Sequence, residues 1–387
     1  MSASTFSNAC KGHIKQQQDF YRYVSTHTRS GDIYNPVAFV HGRDDGTIFF
    51  RKNNTWGNKG IPQTPAEDSW DLLKTVYPMS KPGDSIYRHN CPEDQPLGYH
   101  TGTPYGNIDA IPAESKLSVF KDYRSMIFLG YNHMTDDDAK RFLSYVRAGG
   151  RLLMTRAHLT VTDMAEDIRN GNLDFENNAL SFCNGKPEFA ETTVNGNKTN
   201  VCVNAKKPDK VLCYTDDNQP LVCLYKYGKG EIVMFNTKSY PSDNAIRELY
   251  EAEIKRILEE DTAKESIWAI GNDRVEFAVY NQKDGGKHLY FLATDWFRDP
   301  EYIRQAKLAA NGFEYEVSLP FGILIKAVSN GNVSAWAESE DGEVMSVSDG
   351  SITVQGTGEV SFVIAHNGKQ RKQTVSFKDE SVKTIII

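Results

Sequence analysis

The hydrophobic pattern changes character once along this chain. In the first two thirds, short apolar runs alternate with segments of helical period. In the last third, short strand-like runs follow one another with only turns between them. The clearest stretch runs from Tyr123 to Leu159. Met126 to Leu129 is a continuous apolar run of strand length, the pattern of a strand covered on both faces, and Gly130 ends it. Thr135 stands as an N-cap, and Asp136, Asp137 and Asp138 fall in the first turn, where the helix dipole favours anions. Ala139, Phe142, Leu143 and Val146 then recur at helical spacing until Gly149-Gly150. Arg151 to Thr155 opens the next strand. This strand–helix–strand unit predicts an α/β fold with a parallel sheet.

The same grammar predicts a first buried strand at Pro36 to Val40 and a second at Ile108 to Ala113, with a crossover helix over Ser115 to Tyr123. Trp70 to Val76 reads as a helix, as does Asp163 to Asn170, stopped by Gly171. Leu221 to Tyr227 and Glu231 to Asn236 read as a hairpin around Gly228-Lys229-Gly230. Ser242 is expected to cap a long helix through Glu260. Ile14 to Val24 reads as a short amphipathic helix. Residues 46–67 and 79–105 are long, Gly- and Pro-rich excursions carrying Trp56, Tyr87, Tyr99 and Tyr105. Glu276 to Tyr280, Leu289 to Ala293, Phe313 to Leu319, Gly322 to Val328, Ser351 to Val354 and Val360 to Ala365 are short strands divided by Gly-containing turns, the pattern of a β-sandwich. The expected organisation is an N-terminal helical segment over 1–34, an α/β domain over 35–261 and an all-β sandwich over 262–387.

Composition narrows the function. A net charge of -7 argues against nucleic acid and against anionic membrane surfaces. No run approaches the roughly 18 apolar residues of a membrane span, and MSASTFSNACKGHIKQQQ lacks the apolar core of a secretory signal. Cys10, Cys91, Cys183, Cys202, Cys213 and Cys223 form no CxxC pair. They read as buried thiols of a cytoplasmic protein, with a disulfide between two of the late ones as the alternative. There is no GxGxxG, Walker loop, HExxH or Cys/His metal spacing, so no cofactor and no metal are expected.

Open α/β sheets bind ligands in the loops after their strands' carboxyl ends. After the first strand, His41-Gly42-Arg43-Asp44-Asp45-Gly46 offers Arg43 for a carboxylate and Asp44 or Asp45 for sugar hydroxyls. A solvated Asp-Gly turn is the alternative. Tyr131, Asn132 and His133 follow the third strand and are expected on the same rim. Arg156 and His158 follow the next, with a structural histidine as the plainer reading. No Cys or Ser occupies a strand-to-helix nucleophile turn. Cys91 with His100 or His133 is a weak arrangement, and no catalytic residue is assigned.

TDDDAKRFLSYVRAGGRLLM and the later YKYGKGEIVMFNT, followed by a capped helix, resemble the trimerisation domain of a barrel-type bacterial beta-galactosidase family. The resemblance covers roughly residues 35–260 by order of elements. It implies a flavodoxin-like sheet with flanking helices, an architecture shared with class I glutamine amidotransferases but without their nucleophile, followed by a small β domain. The family's catalytic glutamates belong to a βα barrel with no counterpart in this sequence, so none is carried to any position here. The resemblance implies a non-catalytic, assembly and active-site-completing region or subunit of a glycoside hydrolase. Its expected partners are carbohydrate and either further copies of the chain or a glycosidase barrel, docked through the aromatic loops. A free-standing carbohydrate-binding protein and an independent amidotransferase-like hydrolase stay open as alternatives.

Overall fold

The computed structural model describes residues 31–46, 64–73, 105–107, 109–265, 267–270, 275–293, 304–310, 312–319, 324–339 and 341–387, with residues 14, 15, 17, 18 and 21. Expectations resting on Cys10, Trp56, Tyr87, Cys91, Tyr99 and His100 concern residues outside these. The residues described in the N-terminal stretch are helical, with Ile14 and Tyr21 exposed.

The strands, in chain order, are β1 (Gly31–Ile33), β2 (Val37–His41), β3 (Asp109–Pro112), β4 (Ser125–Phe128), β5 (Arg151–Thr155), β6 (Phe189–Val194), β7 (Asn197–Cys202), β8 (Lys210–Tyr214), β9 (Pro220–Tyr227) and β10 (Gly230–Phe235). Seven of them build one sheet in the order β3-β2-β4-β5-β10-β9-β8. The first five are parallel, and β9 and β8 add antiparallel at one edge. The helices are α1 (Pro65–Asp68), continued by a 3-10 turn at Ser69–Leu72, α2 (Leu117–Phe120), α3 (Asp136–Ala148), α4 (Ala165–Asn170) and α5 (Arg247–Thr262).

Strand alternation sends successive side chains to opposite faces. Ala38, Val40, Met126 and Phe128 pack with Phe120 of α2 and Phe142 and Val146 of α3. Val37, Phe39, Ile127 and Leu129 pack with Trp70 and Leu72 and with Tyr250, Ile254 and Ile257 of α5. Helices therefore cover both faces of the parallel strands, which is why those strands read as unbroken apolar runs.

The remaining strands are β11 (Ile267–Ile270), β12 (Val275–Gln282), β13 (Lys287–Ala293), β14 (Arg304–Ala310), β15 (Phe313–Leu319), β16 (Leu324–Asn330), β17 (Val333–Ala337), β18 (Gly342–Ser348), β19 (Ser351–His366) and β20 (Lys369–Ile386). An antiparallel sheet runs β1-β12-β13-β16-β17-β19-β18, with β20 also on β19. The smaller sheet β11-β14-β15 packs on it through Trp268, Leu308 and Val317 against Phe277, Phe291 and Trp336.

Several expectations are corrected. The described residues are mostly β, and the α/β sheet is mixed rather than wholly parallel. The β9–β10 hairpin forms as expected, and β9 pairs with β8 on its other side, extending the main sheet. The crossover helix shrinks to α2. The helix expected from Trp70 starts earlier, at Pro65. Thr64 caps it through a reciprocal box with Glu67, and Pro65 occupies the first turn. Ser242 does not cap α5, whose N-cap is Ile246. Its amide instead donates to Ser69 Oγ and its hydroxyl to Pro65 O, tying the loop after β10 to α1. β1, inside the segment expected to be helical, is an edge strand on β12.

Candidate functional site

Loops after neighbouring parallel strands emerge on one edge, and the structure places both expected loops there. The Arg43 amide donates to Asn132 Oδ1 at 2.8 Å, and the His133 amide donates to the Arg43 carbonyl at 3.1 Å. The loop after β2 turns tightly, with the Asp45 amide on the Gly42 carbonyl and Asp44 at φ 61°. Close approach requires Gly42: a Cβ there would strike the Tyr131 carbonyl.

Each expected side chain then meets a partner from its own chain or stands outside the network. The Arg43 guanidinium clamps Asp138, Nε to Oδ2 at 2.6 Å and Nη2 to Oδ1 at 3.1 Å. Asp138 is fully buried in the first turn of α3, where Thr135 Oγ1 and Arg141 Nη2 also donate to it. Burial opposes its ionisation, but the hydrogen bonds from Arg43 and Thr135 and the charges of Arg43 and Arg141 outweigh that. They hold the carboxyl below its ordinary value. Arg43 thus binds a carboxylate supplied by this chain. Asp45 is buried and accepts Trp70 Nε1 at 3.0 Å, so its carboxylate is not offered to a ligand. Tyr131 donates to the Thr162 carbonyl at 2.5 Å, and burial raises its hydroxyl pKa. Asn132 is fully buried and donates from Nδ2 to the His158 carbonyl at 2.8 Å. Asp44 is exposed. His133 is half-buried, and its Nδ1 has no partner among the described residues.

Arg156 and His158 complete the rim from beneath. His158 Nδ1 accepts the Thr155 amide at 2.9 Å, which assigns the proton to Nε2, 3.2 Å from the Leu129 carbonyl. Burial pushes its pKa down to about 4, so it is a neutral, structural histidine. Arg156, also fully buried, donates from Nε to Asn236 Oδ1 at 2.6 Å and from Nη1 to the Ser181 carbonyl and to Cys183 Sγ. The rim is a stitched closure. Among the described residues it presents no nucleophile with an orienting base, and no group of three or more His, Cys, Asp or Glu gathers to hold a metal ion.

Sequence reasoning missed two features. Asp138 was read as a helix-dipole residue and is the anchor of the rim. A polar cleft of about 490 Å³ also opens beside α1, lined by Asp68, Asp71, Asn197, Lys198, Asp243, Asn244 and Arg247. Its walls come from three stretches far apart in sequence. The polar run Ser242-Asp243-Asn244 after a buried strand was the one local signal for it.

No protein-family model and no curated protein sequence matches the chain. Solved structures do. Gan42B, a GH42 beta-galactosidase from G. stearothermophilus, is 11% identical with a TM-score of 0.44, over 77% of this chain and 40% of that one. A beta-galactosidase from Bacillus circulans sp. alkalophilus is 15% identical with a TM-score of 0.37, over 78% and 42%. A beta-galactosidase from the Antarctic haloarchaeon Halorubrum lacusprofundi is 19% identical with a TM-score of 0.41, over 79% and 41%. The chain therefore spans about two fifths of the length of the solved structures it matches. At such identities, and with TM-scores below 0.5, the likeness fixes no activity. Among the described residues no helix is long and apolar enough to cross a membrane.

Proposed function

We propose that this chain is a non-catalytic, assembly and active-site-completing part of a glycoside hydrolase. In this reading a flavodoxin-like, amidotransferase-like unit over 35–261 is joined to a β-sandwich unit over 262–387. The observation that carries the reading is the occupied rim. The edge where such sheets do chemistry is filled by Arg43–Asp138, Asn132 and His158, with no nucleophile beside an orienting base among the described residues. Numbered in chain order, the parallel strands run 2-1-3-4-5, the flavodoxin order, which supports that assignment. The carbohydrate class rests on the resemblance of TDDDAKRFLSYVRAGGRLLM and YKYGKGEIVMFNT. Of the residues expected to bind, exposed Asp44 is the one left to meet a partner or a sugar, while the Nδ1 atom of His133 is buried without a hydrogen-bond partner among the described residues.

The test combines the purified chain with a barrel-type beta-galactosidase. We expect no hydrolysis of nitrophenyl glycosides by the chain alone. We expect a higher kcat/KM of the barrel enzyme in its presence, and a homo-oligomer or a stable complex by light scattering. Turnover by the chain alone that one substitution abolishes would sink the proposal, as would a strict monomer with no effect on the barrel enzyme. A second reading, a free-standing carbohydrate-binding protein, is favoured by the cleft at Asp68, Lys198 and Asn244. It requires calorimetric binding of a sugar by the monomer, lost in Lys198→Ala.

A further inference from the structure

We propose that Cys183 and Cys202 form a reversible disulfide that staples the segment after α4 to the β6–β7 hairpin. This inference does not depend on the glycosidase reading. The two sulfurs lie 3.5 Å apart, and both residues are buried. A disulfide needs the sulfurs at about 2.0 Å, a gap that small side-chain rotations close when the backbones are already placed. Here they are. Residues 182–184 run antiparallel to 204–206: the Lys206 amide donates to the Phe182 carbonyl at 2.7 Å and the Asn184 amide to the Asn204 carbonyl at 3.0 Å, with Cys183 opposite Ala205. The Cys202 amide is fixed on the Asn236 carbonyl at 2.8 Å. The backbone hydrogen bonds thus hold both cysteines in place with their sulfurs in contact.

The chemical setting favours exchange. The buried Arg156 guanidinium donates from Nη1 to Cys183 Sγ at 3.1 Å, and its Nη2 has no partner among the described residues. A cation beside two thiols stabilises the first thiolate formed. The pKa of Cys202 is lowered by the hydrogen bond from Cys183 and by the Arg156 charge, against the opposing effect of burial. Cys183 is correspondingly raised. Each cysteine also abuts an exposed residue, Asn184 after Cys183 and Val203 after Cys202, so a small local opening admits a reagent.

With a small disulfide RSSR as oxidant, the Cys202 thiolate attacks one sulfur, forms Cys202–S–S–R and expels RS⁻. Cys183 then gives up its proton and attacks the Cys202 sulfur, forming the Cys183–Cys202 bond and expelling the second RS⁻. Two protons and two electrons pass from the protein thiols to the reagent, which leaves as two RSH. The cross-link closes a loop of roughly 20 residues, which restricts the unfolded chain.

The test equilibrates the full chain in glutathione buffers from reducing to oxidising. Thiols are then trapped with N-ethylmaleimide, and the cross-linked peptides are mapped by mass spectrometry. We expect one link, Cys183 to Cys202, reversed by dithiothreitol, and a thermal midpoint several degrees higher in the oxidised form. Cys183→Ser and Cys202→Ser should each abolish the link. The wild-type peptide map stands on its own if either variant fails to fold. Both thiols still alkylated in the most oxidising buffer, a link to another cysteine, or a cross-linked form that melts no higher than the reduced one overturns the proposal.

Discussion

Arg43 and Asp138 are far apart in sequence, yet their two-point contact closes the rim. Arg43→Ala would leave a buried carboxylate with Arg141 and Thr135 alone. Breaking one side of such a pair costs about 2–4 kcal/mol, somewhat below the fully buried case because Arg43 is partly exposed. Urea denaturation at neutral pH should show that loss. Because the folded Asp138 pKa is depressed, the contribution is present above the ordinary carboxylate range. It is lost as pH falls through the folded value, so wild type and variant should converge in acid. A neutral-pH difference under about 0.5 kcal/mol, the scale of an ordinary surface change, would show the clamp to be incidental. His158 acts in a different window. Its pKa falls from 6.5 to about 4, so the unfolded chain binds the proton first. Stability is complete above pH 6.5 and declines as pH drops toward 4, by at most about 3 kcal/mol. His288, also lowered to about 4 and chiefly by burial, adds a slope of the same sign. His158→Gln should therefore flatten, but not abolish, the dependence of denaturation midpoint on pH between these values. An unchanged slope would mean that His158 is hydrated in the folded protein.

At the scale of elements, the joint between α3 and β10 is fixed by close backbone approach. Gly149 ends α3 at φ 123°, and a Cβ on Gly230 would strike the carbonyls of Gly150 and Val146. Backbone cannot yield as a side chain end can, so Gly230→Ala should cost roughly 2–4 kcal/mol. Exposed Lys229→Ala, one residue away, serves as the near-neutral control in the same calorimetric series. Equal melting of the two variants would remove the steric argument. The same region shows what sequence makes legible. Thr135, the three aspartates, the spacing of Phe142 and Val146 and the Gly149-Gly150 stop are local signals, and β4, α3 and β5 appear where those signals put them. The Thr64–Glu67 capping box was equally local and was passed over. Other features depend on contacts that no window contains. Ser242 has a good N-cap identity, but Ser69 and Pro65 claim it from across the chain. The loops after β2 and β4 were placed correctly on one rim. The partners of their side chains come from elsewhere in the chain: Asp138 takes up Arg43, and Trp70 donates to Asp45.

At the scale of the molecule, the two large sheets meet through Glu265, just beyond α5. Its side chain is 4% exposed and accepts from three directions. Tyr34 Oη, between β1 and β2, donates at 2.9 Å. Arg124 Nε, before β4, donates at 3.0 Å, and Lys287 Nζ, on β13, at 2.6 Å. Lys287 also lies 4.5 Å from the centre of the Tyr34 ring, and the Tyr34 amide donates to the Val279 carbonyl in β12. One carboxylate thus gathers a residue of the seven-stranded sheet's approach, one of the antiparallel sheet and one of the connection between them. Burial opposes its charge, but Lys287, Tyr34 and Arg124 together hold its pKa below the ordinary value, so the charged, three-partner state is the one present at neutral pH. Glu265→Ala strands a largely buried Lys287 and removes the acceptor shared by Tyr34 and Arg124. The expected cost is about 3–5 kcal/mol, falling mainly on the joint. Calorimetry should then turn a single cooperative transition into two, because the sheets keep their own cores while losing the contact that couples them. Glu265→Gln, which keeps the shape and two of the contacts without the charge, should fall between. A single transition at the wild-type temperature in Glu265→Ala would show that the sheets are coupled through apolar packing alone, with the carboxylate a bystander.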